Sequence, residues 1–168
     1  MELEKAKAIA AEVVEQLRPF CVRIAITGSI RRQKSWVNDI DLVCIPSNQG
    51  RFVYTLQQLG RIKMGGGKII RVATRITKGI DLDVYIATPQ TWATLLLIRT
   101  GSASHNVKLC KIARRMGMIL HADGSGLFKI APNQTDCDGL QDERIAGDTE
   151  TSIFEALGLP YEAPEKRE

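Results

Sequence analysis

Residues 27 to 42 read Thr27-Gly28-Ser29-Ile30-Arg31-Arg32-Gln33-Lys34-Ser35-Trp36-Val37-Asn38-Asp39-Ile40-Asp41-Leu42. Gly28 and Ser29 close an apolar run, Ile24 to Ile26, and Arg31 and Arg32 follow. Asp39-Ile40-Asp41 then opens a second apolar run, Leu42 to Ile45. Side chains alternate faces along a strand, so Asp39 and Asp41 share a face while Ile40 and Leu42 turn to the core. Two carboxylates on one face form a seat for a hard divalent cation, which takes oxygen ligands. A Gly-Ser turn beside arginines suits phosphate, through backbone N–H groups, a hydroxyl and forked guanidinium donors. Phosphate and metal sites side by side imply phosphoryl or nucleotidyl transfer. Either half alone is better read as a turn or a solvated strand end; their order and spacing carry the reading.

Outward from this stretch, the chain of 168 residues is long enough for one domain or two small ones. With 44% hydrophobic and 25% charged residues it has the composition of a folded soluble protein. Its net charge of +4 is a mild bias toward polyanions. Cys21, Cys44, Cys110 and Cys137 show no C-x-x-C spacing, which argues against a zinc site or a disulfide framework. With no signal peptide and no long apolar run, the expectation is a soluble intracellular protein with no membrane partner.

Before the central stretch, Leu3, Ala6, Ala10, Val13 and Leu17 fall at helical spacing, which predicts a helix over residues 3–18 ended by Pro19. Strands are predicted over 22–27 and 39–45, with 28–38 as a turn region, and a helix over 52–59. Gly65-Gly66-Gly67 lacks the Lys-Ser/Thr of a Walker loop and reads as a hairpin turn. The strand after it, 68–77, sets Lys68, Ile70, Val72, Thr74 and Ile76 against a face with Arg71 and Arg75. Lys78-Gly79 is a turn. Residues 80–86 form a strand with a second same-face pair, Asp81 and Asp83. Beside the Asp39 strand it adds a third carboxylate, and three converging carboxylates are stable chiefly when a metal neutralises them.

Pro89 marks a boundary. A helix is predicted over 89–99 with Trp92, Leu95 and Leu96 in the core, and Ser102 or Ser104 caps the next, 104–116. That helix carries Lys108, Lys111, Arg114 and Arg115 and no acid, a face suited to a nucleic-acid backbone. Two short strands flank Asp123-Gly124-Ser125-Gly126. Residues 132–147, with Asp136, Asp138, Asp142 and Glu143, read as a loop. Thr149 caps a short helix to Leu157, and the tail from Tyr161 reads as charged and extended.

Three patches together resemble family X of the DNA polymerases, the family of polymerase beta. They are Gly28-Ser29-Ile30-Arg31-Arg32 with Asp39-Ile40-Asp41; Ile80-Asp81-Leu82, Thr100-Gly101-Ser102 and His105-Asn106; and Ile153 to Tyr161 with Pro164 to Glu168. The resemblance implies an α+β protein: a nucleotidyltransferase palm (a mixed sheet with helices on one face) over 1–88, then a small α+β thumb over 89–168. It implies two Mg2+ ions, replaceable by Mn2+, held by Asp39, Asp41 and Asp81. Gly28, Ser29, Arg32 and Asn38 would bind the nucleotide's phosphates, and Gly101, Ser102 and Asn106 its sugar and base. Lys108, Lys111, Arg114 and Arg115 would lie near DNA phosphates. Asp83 is expected to be a palm-surface charge or a supporting group, not a ligand.

The implied activity is template-directed addition of deoxynucleotides to a primer 3′-hydroxyl, filling gaps in repair. Its partners are primer-template or gapped DNA and deoxynucleoside triphosphates, its state a monomer, its setting the cytoplasm or nucleoid of a cell, or a virus or phage genome. The alternatives are template-independent terminal transfer, another nucleotidyl transfer to RNA or protein, and a non-catalytic nucleic-acid-binding relic. The family's lyase and fingers modules have no counterpart here, so lyase activity is expected to be missing. Ile98-Arg99 stands where the family has Tyr-Phe, and Cys110 where it has an arginine, so weak sugar selection and altered fidelity are expected.

Overall fold

The computed structural model describes residues 1–74, 79–130 and 143–168. The end of the 68–77 strand, Lys78, Cys137, Asp136, Asp138 and Asp142 lie outside these residues. The chain divides into two units, Met1–Pro89 and Gln90–Glu168.

The first unit opens with α1 (Leu3–Leu17), whose Ala6, Ala10, Val13, Val14 and Leu17 form the buried stripe that the periodicity predicts. Pro19 falls in a 3-10 turn, Arg18–Phe20, that ends it. Strand β1 (Cys21–Ile26) follows. Residues 28–38 were expected to be turn throughout, but Gly28–Arg31 closes into a single helical turn, α2. Then come β2 (Asp39–Pro46), α3 (Gln49–Leu59), β3 (Gly60–Gly65), β4 (Ile69–Thr74) and β5 (Asp81–Ile86). Helix α3 starts three residues earlier than its apolar pattern, because the Asn48 side chain caps it by accepting from the Arg51 N–H.

The five strands form one sheet in the order β1-β2-β5-β4-β3. Only β2 and β5 run parallel; the other neighbours are antiparallel. Gly65 to Gly67 lie at the β3–β4 turn. The even positions Ile40, Leu42, Cys44, Ile70, Val72, Leu82 and Val84 turn to one side and pack with α1 and with Phe52, Leu56 and Leu59 of α3. Burying these aliphatic and aromatic side chains stabilises the unit by roughly 1.5–3 kcal/mol each. The odd positions, with Asp39, Asp41, Asp81 and Asp83, are thereby left on the opposite face. Trp36 meets Glu2 in a single bridge but is 63% exposed, so it covers little of the core.

The second unit comprises α4 (Trp92–Thr100), α5 (Ala103–Arg115), β6 (Met118–His121), β7 (Gly126–Lys129), β8 (Glu143–Ala146) and α6 (Glu150–Ala156). Its core joins Leu97, Leu109, Ala113, Leu120, Leu127, Ile153 and Phe154. Trp92 and Leu95 are buried as expected, but Leu97 takes the core position expected of Leu96. Glu143, read as loop, opens strand β8, which pairs with β7. Thr149 and Ser152 cap α6 reciprocally. The tail is not extended to its end. A 3-10 turn, Pro164–Lys166, returns Arg167 into the unit. Its guanidinium is fully buried, donates to Glu150 at 2.9 Å and to the Glu162 carbonyl at 2.8 Å, and lies 5.5 Å from the ring centres of Phe154 and Tyr161. Among the described residues no helix is long and apolar enough to cross a membrane.

Candidate active site

The parallel register sets Asp39 opposite Asp81 and Asp41 opposite Asp83 on the sheet face away from the helices. One carboxylate oxygen from each of Asp39, Asp41 and Asp83 lies within 4.8 Å of the others. Asp81, expected as the third ligand, is not part of this group. It starts β5, stays partly exposed, and accepts from Lys63 Nζ of β3 at 2.6 Å. Asp83, expected as a surface charge or a supporting group, is level with Asp41 and almost fully buried between Leu82 and Val84. No local sequence signal separates the two, since Asp81 lies between Ile80 and Leu82 as Asp83 lies between Leu82 and Val84; a carboxylate buried there needs a cation or donors. Arg71 of β4 supplies them, its Nε 2.6 Å from one Asp83 oxygen and its Nη2 2.5 Å from the other. This forked contact holds the Arg71 guanidinium above its ordinary pKa.

Burial pushes Asp41 up to about 7, helped by the charges of Asp39 and Asp83; a Tyr85 hydrogen bond and the Arg32 charge act the other way. Asp39 is raised too, by burial and then by Asp83, while Arg71, a backbone hydrogen bond and Arg32 oppose the shift. Two neighbouring acids with raised pKa values mark a site where negative charge is in excess.

Gly28 brings the phosphate-type turn onto these acids. Its φ is +59°, and a Cβ there would stand 2.0 Å from Asp41 Oδ2 and 2.8 Å from Asp41 Cγ. Thr27 N–H donates to the Asp41 carbonyl at 2.8 Å, tying the turn to β2. The Ser29 and Thr27 hydroxyl oxygens are enclosed without a hydrogen-bond partner. Enclosed polar atoms of this kind cost stability unless a ligand meets them. Burial lowers the Arg32 pKa, and the charges of Asp41 and then Asp39 support it. Asn38 is exposed, one residue before β2. The all-oxygen donor set, the glycine cradle and the enclosed hydroxyls fit a divalent cation beside a phosphate.

In the second unit, Gly101 (φ +68°) ends α4 and Ser102 caps α5, its hydroxyl accepting from the His105 N–H at 3.2 Å. Asn106 donates its amide to the Ile98 carbonyl at 2.8 Å, leaving its Oδ1 enclosed without a partner. Lys108, Lys111 and Arg115 line a groove of about 530 Å³ on α5 with Ser104, Val107 and Ile112, and Arg114 is exposed.

The first unit is a five-stranded mixed sheet that carries helices on one face and an acidic cluster on the other. A family model, the DNA polymerase beta thumb, matches residues 95–168. The chain is 26% identical to the DNA polymerase/3′-5′ exonuclease PolX of Bacillus subtilis over 97% of its own length and 28% of that protein's. It is 28% identical to the repair DNA polymerase X of African swine fever virus over 86% of its own length and 80% of that protein's. Crystal structures of Leishmania infantum polymerase beta, a ternary P/T complex and a ternary gap complex, superimpose on the whole chain with TM-scores of 0.83 and 0.81 at 22% identity, covering 76% and 70% of those chains. Over its length the chain is similar to DNA polymerases of the PolX and polymerase beta kind.

Proposed function

We propose that the chain is a template-directed DNA polymerase that adds deoxynucleotides to a primer 3′-hydroxyl and fills gaps during repair. The observation that carries this reading is the convergence of Asp39, Asp41 and Asp83 beneath the Gly28 turn with its enclosed Ser29 hydroxyl. The reading is also supported by the repair polymerase named among the relatives and the gap complex among the similar structures.

Asp39, Asp41 and Asp81 would hold two divalent ions, Mg2+ in the cell, which when bound would lower the pKa of the primer hydroxyl and neutralise the leaving pyrophosphate. Asp81 stands level with Asp39 and partly exposed, while both oxygens of Asp83 are taken by Arg71. Asp81 would also help the primer hydroxyl lose its proton. Ser29 donates its hydroxyl to the triphosphate, and Arg32 adds a charge-assisted contact. Gly28 keeps the turn close enough for the phosphates and the carboxylates to share one cation. Asn38 contributes a backbone N–H. Gly101 and Ser102 contact the sugar, Asn106 the base edge, and Lys108, Lys111, Arg114 and Arg115 template phosphates. The protein's share in catalysis is positioning and charge stabilisation. It acts as a monomer.

The test is primer extension on a gapped duplex with Mg2+ and each deoxynucleotide supplied separately, beside a single-stranded primer. Addition of the complementary nucleotide in the gap establishes templated synthesis. Addition of any nucleotide to either substrate establishes terminal transfer instead, and no addition with Mg2+ or Mn2+ removes both readings.

A further inference from the structure

The C-terminal segment of the second unit borders a pocket of about 460 Å³ that the chemistry above does not use. Its lining joins the apolar Leu159, Pro160 and Tyr161 to the cations Lys108 and Lys166. A nucleotide carries both halves of this chemistry, a flat base and a charged phosphate. The Tyr161 ring is held edge-to-face with Phe154, 5.4 Å between centres, and lies 5.5 Å from the Arg167 guanidinium, yet the residue is 45% exposed. A fixed aromatic ring that meets water is a stacking platform, and every base has a face to stack. Glu162 also lines the pocket, but its carboxylate lies 3.9 Å from Lys108 Nζ, so its charge is offset there. Lys108 further lines the α5 groove with Lys111 and Arg115, which makes groove and pocket continuous. A strand whose phosphates follow these cations arrives at Tyr161. A duplex keeps its bases stacked within and presents phosphates and groove edges; an unpaired strand brings base faces to the ring.

We propose that this pocket receives an unpaired base of the template strand, stacked on Tyr161, with the adjoining phosphates on Lys108 and Lys166. The pocket extends the basic groove of α5 into a single-strand site. The inference rests on the proposed function, which supplies the template.

The experiment measures, by fluorescence anisotropy, how the full chain binds one primer-template duplex made either blunt or with a short 5′ template overhang. The parent should bind the overhang form about tenfold more tightly, the worth of one stacked base. Tyr161→Ala should lose this gain and bind the blunt duplex as the parent does, while Tyr161→Phe, which keeps the ring, should retain it. Lys166→Gln should lower the salt slope of overhang binding by about one unit and leave that of the blunt duplex unchanged. No gain from the overhang, or a gain that survives in Tyr161→Ala, overturns the proposal. If Tyr161→Ala does not fold, the parent decides. An overhang carrying 5-iododeoxyuridine should crosslink to Tyr161 on irradiation, and crosslinks to other residues alone overturn the proposal. If a deoxynucleoside monophosphate abolishes that crosslink while the overhang adds no affinity, the occupant is a free nucleotide and the proposal falls. Failure of both duplex binding and primer extension removes the proposed function itself; extension with no gain from the overhang removes only this inference.

Discussion

Gly28 is the position where the least chemical change should do the most damage. A methyl group there would meet Asp41 Oδ2 at 2.0 Å, in a backbone conformation that favours glycine. Gly28→Ala should lower incorporation by about a hundredfold or more while costing only about 1–3 kcal/mol of stability. Primer extension beside a thermal melt checks both. Asp41 carries the second prediction. Its folded-state pKa is about 7, raised from 3.8, so the metal-free fold holds a proton that the unfolded chain releases. Its contribution to stability is therefore present at low pH and lost as the pH rises from about 4 to about 7. Asp41→Asn should flatten that slope in melts run with chelator, and melt higher than the parent at neutral pH by on the order of 2 kcal/mol. At this scale Ser29, Arg32, Asp39 and Asp41 were legible because they lie in one short segment whose spacing is local. Which of Asp81 and Asp83 is buried beside Asp41 was not. Both point the same way along one strand, and alternation cannot tell them apart.

Among the elements, α5 presents a basic groove built from one helix, so its chemistry is readable from spacing alone. Replacing Lys108, Lys111 and Arg115 with Glu should weaken DNA binding at low salt and flatten the salt dependence by about two to three units of slope. Fluorescence anisotropy at several ionic strengths measures it, and an unchanged slope returns the groove to an ordinary solvated face. The C-terminal segment was not readable in the same way. Pro164 to Glu168 is charged, and charge reads as solvent. Arg167 instead fills a buried place between Phe154, Tyr161 and Glu150. Arg167→Ala removes the buried ion pair with Glu150 and should lower stability by about 3–5 kcal/mol in a denaturant titration. Strand β8 was missed for a related reason: Glu143-Arg144-Ile145-Ala146 is too short and too polar to show a period of two, and its pairing with β7 defines it.

For the molecule as a whole, the test is which nucleotide it accepts. Ile98-Arg99 precedes Thr100, with Ile98 buried in the core and its carbonyl holding Asn106. On the proposed function, ribonucleotides should be incorporated within about tenfold of deoxynucleotides, since no bulky aromatic side chain stands there to reject the 2′-hydroxyl. Single-turnover incorporation of each pair of triphosphates measures this, and a strong preference for deoxynucleotides would refute it. The sequence by itself determined the helices, most of the strands, the phosphate-type turn, the first two carboxylates and the basic helix. Each of these is written in the spacing of neighbouring residues. Only the tertiary structure decided which acid of β5 is buried beside Asp41, where its arginine comes from and that Arg167 is buried. These depend on strand order, on the parallel register of β2 and β5, and on the folding back of the C-terminal segment. Non-local burial sets all three; a one-residue shift in the register of β5, for example, would turn its carboxylates into the core.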